Sequence, residues 1–214
     1  MNIRLRFLGG VLLGVCVATQ GFAAFEGGDP KAGAEKSGLC QGCHGPDGNS
    51  PAGDFPRLAG QYSGYIVKQV RDFQAGHRAN NEIMAGMAAT VASVEDAKDI
   101  ASYFADQKVA KEPIIPPDQA LVKQGEKLFT EGNPTTGVYG CINCHGERGS
   151  GKSEKIAQFP RLSSQHRDYL IKELKDFRAG VRANDPAGMM ADIAKKMTDH
   201  EIQAVAEYLA AQPR

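Results

Sequence analysis

Apolar side chains along this chain recur at the three- and four-residue spacing of amphipathic helices. In the stretch that begins at Ser63, the apolar positions on one helical face are Tyr65, Ile66, Val70 and Phe73. This spacing predicts helices over Asp29 to about Gly38, Ser63 to about Ala75, the stretch that follows Ser93, Asp118 to about Thr130, Gln165 to about Ala179, and Thr198 to about Ala211. Alternation of apolar and polar residues nowhere extends far enough to predict a strand, so the predicted fold class is all-α.

Residues at the predicted helix starts support these boundaries. Asp29 is an N-cap candidate, and the proline that follows it stands at the first helical position. Ser93 with Asp96, and again Thr198 with Glu201, has the spacing of a capping box, in which the two side chains satisfy free backbone N–H groups. The first turn of each of these helices therefore has hydrogen-bond partners of its own.

The chain is a tandem repeat. Residues 40–44 (Cys-Gln-Gly-Cys-His) recur as residues 141–145 (Cys-Ile-Asn-Cys-His), and residues 55–58 (Phe-Pro-Arg-Leu) recur unchanged as residues 159–162. The matched segments keep their order while the offset drifts only from 101 to 104 residues, which indicates a duplicated domain.

The repeat divides the chain after its first residues into two copies and a connection. We predict a first domain over residues 24–112, a linker over residues 113–117 and a second domain over residues 118–214. The linker sequence, Pro-Ile-Ile-Pro-Pro, favours an extended and semi-rigid connection.

Residues 1–23 have the pattern of an export signal. Arg4 and Arg6 precede the apolar stretch 8–18, and small residues follow at the positions before a cleavage site. The pattern predicts a signal peptide over residues 1–23 and a mature protein in a bacterial periplasm. The alternatives are a buried N-terminal helix and a lipid anchor on Cys16, although a valine stands before Cys16 where a small residue is usual.

The composition is that of an ordinary globular protein. Apolar residues make up 42% of the chain and charged residues 23%, so general disorder is not expected. The 25 basic residues balance 25 acidic ones, which argues against a nucleic-acid partner. No apolar run reaches the roughly 18 residues of a membrane span.

Four of the five cysteines lie in two Cys-x-x-Cys-His motifs, formed by Cys40, Cys43 and His44 and by Cys141, Cys144 and His145. This motif attaches a c-type haem: the thiols bond to the two vinyl groups and the histidine supplies an imidazole to the iron. We therefore predict two covalently bound haem c groups. The alternatives fit less well, because a thioredoxin-like dithiol needs a βαβ context, a zinc site needs four ligands, and a disulfide framework leaves both histidines unexplained.

The second axial ligand of each iron is predicted from the repeat. Methionine and histidine are the usual choices in an electron carrier. Met84 and Met190 are the candidates, since they precede the final helix of their copies by nearly the same distance. Met87 and Met189 are the rivals.

The remaining histidines have no counterpart in the other copy. His77 is matched by a valine, His166 by a tyrosine, and His200 falls opposite an acidic stretch. We therefore expect these three side chains at the surface. With histidine and methionine on both irons, neither site is open for oxygen or peroxide, so the sequence predicts an electron carrier and not an enzyme.

The chain resembles the cytochrome c4 family of dihaem class I cytochromes c from bacterial periplasms. The resemblance rests on both Cys-x-x-Cys-His motifs, on residues 55–61 and their copy 159–165, on the Met-bearing loops and on the final capped helices. It implies two tandem class I cytochrome c domains, each wrapping one haem, related by a pseudo-twofold axis with the haem edges near each other. It also implies that Pro56 and Pro160 lie beside the iron-binding histidines. One departure is a Ser-Ser pair at residues 163–164, where the first copy has Ala-Gly.

The resemblance also implies the partners. Electrons would pass from a membrane-bound cytochrome bc complex to a terminal oxidase by transient docking, and a loose association with the membrane stays open. A second hypothesis is a haem subunit held permanently by a dehydrogenase, such as a flavocytochrome c sulfide dehydrogenase. A third, a dihaem peroxidase, would need a vacant or displaceable iron ligand, which the methionines in both copies oppose.

Overall fold

The computed structural model describes residues 27–110, 113 and 115–213, and the predicted export signal lies outside them. The α-helices of the described residues are α1 (Pro30–Lys36), α2 (Gly38–His44), α3 (Ser63–Gln74), α4 (Glu82–Ala89), α5 (Val94–Ala105), α6 (Gln119–Glu131), α7 (Ile142–His145), α8 (Arg167–Ala179), α9 (Met189–Lys195) and α10 (Asp199–Ala211). Short 3-10 helices cover Glu147–Gly149, Glu154–Ile156 and Pro186–Gly188. The all-α prediction is confirmed: these residues contain no strand, apart from an isolated bridge between Asn133 and Val138.

The predicted helices are present with small shifts at their ends, and two differences stand out. The first predicted helix stops at Lys36, and a second helix, α2, carries the cysteine motif. The methionine-bearing segments, expected as loops, are the helices α4 and α9. In the part of the chain that the structure describes, no helix is long and apolar enough to cross a membrane.

Side-chain caps begin several of the helices as expected. Asp29 accepts a hydrogen bond from the amide of Lys31 at 2.8 Å. At the start of α10, Thr198 and Glu201 form the complete capping box, with the Thr198 hydroxyl accepting from the Glu201 amide and the Glu201 carboxylate accepting from the Thr198 amide. Because these caps need neighbours only three residues away, they form from local sequence.

The buried apolar side chains form two clusters, one in each repeat. The first lies among α3, α5 and the segments around them and includes Phe104, which is fully buried. The second lies among α6, α8 and α10 and includes Phe129 and Ile202, also fully buried. Each copy thus has a core of its own.

In each domain the N-terminal and C-terminal helices cross at a glycine. Gly33 of α1 lies against the backbone of Asp99 in α5, and Gly125 of α6 lies against the backbone of Ala204 in α10. A Cβ atom at either glycine would overlap the opposing carbonyl oxygen. The missing side chain therefore permits the close helix crossing.

The two domains meet through matched hydrogen bonds between the copies of the Phe-Pro-Arg-Leu segment. The amide of Arg57 donates to Gln165 Oε1 at 2.8 Å, and the amide of Arg161 donates to Gln61 Oε1 at 3.0 Å. Each glutamine donates in return to the opposite arginine carbonyl, at 3.0 Å for Gln165 and 2.8 Å for Gln61. This reciprocity is the pseudo-twofold arrangement expected of the duplicated domains.

Gly125→Ala should destabilise the second domain. The added methyl group meets the Ala204 carbonyl in a packed helix crossing, and overpacking of this kind costs about 1–3 kcal/mol. Chemical denaturation followed by far-UV circular dichroism measures the change. The matched control is Gly86→Ala in α4, where nothing lies within 4 Å and alanine is expected to be neutral or slightly stabilising. Equal stability of the two variants would contradict the packing argument.

Candidate functional site

The short helices α2 and α7 present the two cysteine motifs. Each helix ends at the histidine of its motif. The glycine that follows has a positive φ, 83° at Gly45 and 75° at Gly146, so the chain changes direction there. The first cysteine of each pair is half-buried, whereas Cys144 is exposed. One helical turn separates the two sulfurs in sequence, so both can face one side of the helix.

Both motif histidines are buried and fixed by one hydrogen bond each. His44 Nδ1 lies 2.8 Å from the carbonyl oxygen of Pro56, and His145 Nδ1 lies 2.9 Å from that of Pro160. A carbonyl oxygen can only accept, so Nδ1 carries the proton and Nε2 keeps its lone pair. The expectation that the two prolines lie beside the histidines is thereby met.

The protonation state of these histidines suits metal binding. Burial lowers the pKa of His44 and of His145, against the raising effect of the hydrogen bond to the proline carbonyl. Both imidazoles are therefore neutral near pH 7. A neutral imidazole whose second ring nitrogen donates to a carbonyl is the usual form of an iron or zinc ligand.

The first thiol of each motif differs from a redox-active cysteine in its pKa. Burial raises the pKa of the Cys141 thiol to about 11 and also raises that of Cys40. Reactive thiols instead have a lowered pKa, produced by nearby positive charge or a helix N-terminus. Cys40 and Cys141 therefore lack the lowered pKa that marks a redox-active dithiol.

One cavity of about 590 Å³ is lined by residues of both domains. Its wall contains both cysteine pairs, both histidines and both prolines: Cys40, Cys43, His44, Pro56, Cys141, Cys144, His145 and Pro160. Apolar side chains, such as Ile66 and Phe73 in the first domain and Leu170 and Phe177 in the second, form much of the remainder. The two predicted sites therefore open into a shared space.

The polarity of this cavity fits haem. Arg78 and Arg182 line it, and each is buried to about 95%, with 5% of its surface exposed. An apolar space with guanidinium groups at its edge suits a flat apolar macrocycle that carries carboxylates. The thiol pairs and the neutral imidazoles complete a donor set for c-type attachment.

The four candidate methionines all line the cavity, Met84 and Met87 from α4 and Met189 and Met190 from the start of α9. The amide of Met84 donates to Asn81 Oδ1 at 2.9 Å, and the amide of Met190 donates to Asp185 Oδ2 at 2.7 Å. Met84 and Met190 are half-buried, whereas the rivals are more exposed. Their burial supports Met84 and Met190 as the ligands, which stays a prediction.

The remaining histidines follow the expectation in two of three cases. His77 and His200 are exposed. The prediction for His166 was wrong: this residue is 4% exposed, and its Nε2 lies 2.7 Å from the Ser50 hydroxyl oxygen of the other domain. His166 lacks a copy because it lies in the domain interface, where its counterpart, Tyr62, has a different partner. The ring of Tyr62 lies 4.4 Å below the guanidinium of Arg161.

Sequence analysis also missed a polar cluster on the cavity wall between the domains. Its members are Tyr65, Gln69, Arg78, Tyr169, Glu173, Arg182 and Asn184. The available signal is the triplet Arg-Ala-Asn, which recurs at residues 78–80 and 182–184. The triplet marks positions kept in both copies, but it does not show that the arginines are buried.

Comparison with known proteins gives consistent matches. A family model described as cytochrome c matches residues 31–108 and 122–212. Cytochrome c4 of Thiocapsa roseopersicina is 46% identical over 190 residues, which cover 87% of this chain and 94% of that protein. The crystal structure of reduced recombinant cytochrome c4 from Pseudomonas stutzeri matches with a TM-score of 0.78 and 41% identity, covering 86% of this chain and 99% of that one. A thiosulfate dehydrogenase electron acceptor of Thiomonas intermedia (strain K12) is 38% identical over 175 residues, 81% of this chain and 78% of that protein.

Two tandem helical domains, each presenting a Cys-x-x-Cys-His motif to a cavity, define a dihaem c-type cytochrome. The chain belongs to the cytochrome c4 family, with which it shares sequence and fold over most of its length. Two haem c groups are covalently bound, and the chain is an electron carrier of this type.

Met190→Ala should lower one of the two reduction potentials and remove about half of the far-red band of methionine-ligated ferric haem, because a thioether stabilises ferrous iron. Met84→Ala should do the same in the other domain. Spectroelectrochemistry of the holoprotein measures both quantities. The controls Met87→Ala and Met189→Ala should leave the band intact, and loss of the band in Met87→Ala but not in Met84→Ala would refute the first assignment.

Proposed function

We propose that this protein carries electrons in the periplasm from a membrane-bound cytochrome bc complex to a terminal oxidase, docking transiently with each, and that it catalyses no reaction of its own. The observation that carries the proposal is the shared cavity, which both cysteine motifs reach from their own domains. Two redox sites that open into one space suit electron transfer between them. A redox partner could therefore dock at either domain.

The proposed roles of the site residues follow the repeat. Cys40 and Cys43 would hold the first haem covalently, and His44 and Met84 would bind its iron. Cys141 and Cys144 would hold the second haem, and His145 and Met190 would bind its iron. When bound, haem supplies a one-electron couple between ferric and ferrous iron.

The residues proposed to bind the iron are themselves held in place by hydrogen bonds. His44 and His145 are held by proline carbonyls and cannot turn without breaking a buried hydrogen bond. The backbone amides of Met84 and Met190 are bound by Asn81 and Asp185, so the backbone from which each thioether extends is also fixed. With a histidine and a methionine each bound to it, the iron would supply electron transfer and no site for a substrate.

A second candidate function is electron acceptor of a particular dehydrogenase. The observation that favours it is the 38% identity to a protein named as a thiosulfate dehydrogenase electron acceptor. This candidate refines the hypothesis of a dehydrogenase-bound haem subunit, and it differs from the first in the donor alone. The same two haem sites would serve either donor.

Quinol-dependent oxygen uptake by washed membranes that contain a bc complex and a terminal oxidase should rise when the oxidised holoprotein is added. The rise should saturate and weaken at high salt, because transient docking of exposed charges is screened. A parallel reaction contains thiosulfate and a thiosulfate dehydrogenase in place of the membranes. Reduction in the second reaction without stimulation in the first would reject the bc complex as donor and support the second candidate.

Export should be required for haem attachment. A variant that lacks residues 1–23 should accumulate in the cytoplasm without haem, because c-type attachment takes place outside the cytoplasm in bacteria. Haem staining after denaturing electrophoresis, with the full-length chain as control, measures the outcome. Normal holoprotein from the shortened chain would contradict the periplasmic localisation.

A further inference from the structure

The polar cluster between the domains is built from reciprocal contacts. Arg78 donates to the hydroxyl of Tyr169 at 3.2 Å, and Arg182 donates to that of Tyr65 at 3.0 Å. Each arginine therefore reaches across the interface to the other domain. The asparagines of the two Arg-Ala-Asn triplets do the same, donating to Asp176 and Asp72 at 2.7 Å and 2.6 Å.

One pair of matched positions breaks this reciprocity. Gln69 in α3 corresponds to Glu173 in α8. Glu173 lies 2.9 Å from Arg78 and 2.7 Å from Arg182, so one carboxylate bridges the two guanidinium groups. Gln69 Oε1 accepts from the same two arginines, at 2.8 Å and 3.3 Å, but it carries no charge.

The charges of this group are deeply buried. Arg78, Arg182 and Glu173 are 5%, 5% and 6% exposed. Among the described residues, Glu173 is the one carboxylate that forms an ion pair with either arginine. Glu173 also lies 3.6 Å from Lys172, a partly exposed lysine that pairs with Asp176 as well, and Asp72 pairs with Lys68. Glu173 therefore balances one of two buried positive charges and leaves the group with a positive excess.

Glu173 is ionised in this setting. Burial alone would raise its pKa, but Arg182 and Arg78 outweigh burial and hold the pKa of Glu173 below its usual value. Glu173 and both arginines line the cavity that His44 and His145 also line. A fixed charge in a poorly solvated wall acts over longer distances than a surface charge, because water and salt screen it less.

We propose that Glu173 tunes electron transfer. Its negative charge, buried at the domain interface, lowers the reduction potentials of both haems. Negative charge favours the ferric over the ferrous iron, since the ferric site carries one more positive charge. The bridge to an arginine of each domain makes the effect common to the two sites. The inference rests on the proposed haem positions in the shared cavity.

The test is spectroelectrochemistry of the holoprotein with Glu173→Gln. This change places in the second domain the residue that the first domain already has at position 69, so the shape of the cluster is kept. Both reduction potentials should shift upward, and the shift should persist at high salt. The matched control is Glu95→Gln, which removes the same charge from a side chain that is 76% exposed. Its shift should be several-fold smaller and should vanish at high salt.

Gln69→Glu is the complementary variant. It adds a second carboxylate between the same two arginines, so both potentials should shift downward. This variant keeps the proposal testable even where Glu173→Gln unfolds, because it removes no ion pair. An absence of downward shift in Gln69→Glu, or a shift of one potential alone in either variant, would overturn the proposal.

Haem content and the far-red band are measured on each variant to separate this inference from the proposed function. With two haems and an intact band, potentials in Glu173→Gln that move no more than in Glu95→Gln would overturn the role of Glu173 and leave the carrier function standing. A wild-type protein that lacked two haems or the band would instead refute the proposed sites themselves.

Discussion

The hydrogen bond from each motif histidine to a proline carbonyl is the contact on which the rest of the structure depends. Nδ1 lies 2.8 Å from the Pro56 carbonyl oxygen in the first domain and 2.9 Å from that of Pro160 in the second, so the proton stays on Nδ1 and Nε2 keeps its lone pair. The residues that follow these prolines, Arg57 and Arg161, make the matched hydrogen bonds between the domains. Ligand orientation and domain docking are therefore coupled through neighbouring peptide units.

Much of the fold could be predicted because its signals are local. The capped helices α5 and α10 begin where Ser93 and Thr198 predict. The two Cys-x-x-Cys-His motifs predict covalent haem attachment directly from the sequence. The short helices α4 and α9 could not be predicted, since each has at most eight residues and its first amides are bound by a single side chain, Asn81 for α4 and Asp185 for α9. His166 shows the other limit: comparison of the two copies detects what they share, while its partner Ser50 lies in the opposite domain.

The duplicated interface explains why missed residues concentrate there. When two copies of one surface meet about a pseudo-twofold axis, a residue of one copy contacts the other copy, and its counterpart makes the matching contact in the opposite direction. Such contacts lie roughly a hundred residues apart in sequence, as with Arg78 and Tyr169 at a separation of 91. No helical periodicity or short motif reports them. Buried arginines in particular contradict the usual expectation for charged residues and become intelligible only with their bridging carboxylate.

The two halves share most of the residues with which they touch each other, and the few differences there have a consequence for a molecule with two identical cofactors. Inside each domain the attachment and ligand chemistry is constrained to be the same, because thioether bonds and axial ligation tolerate few residue types. At the interface the residues that meet need only be complementary. Tyr62 can therefore stand in one copy where the other has His166, and Gln69 where the other has Glu173. Even Ser164 takes the positive φ of Gly60, 60° against 63°, and keeps the backbone while adding a hydroxyl that bonds to the Ala110 carbonyl. The electrostatic surroundings of the haems can thus be adjusted at the seam between the domains without altering the ligands that hold them.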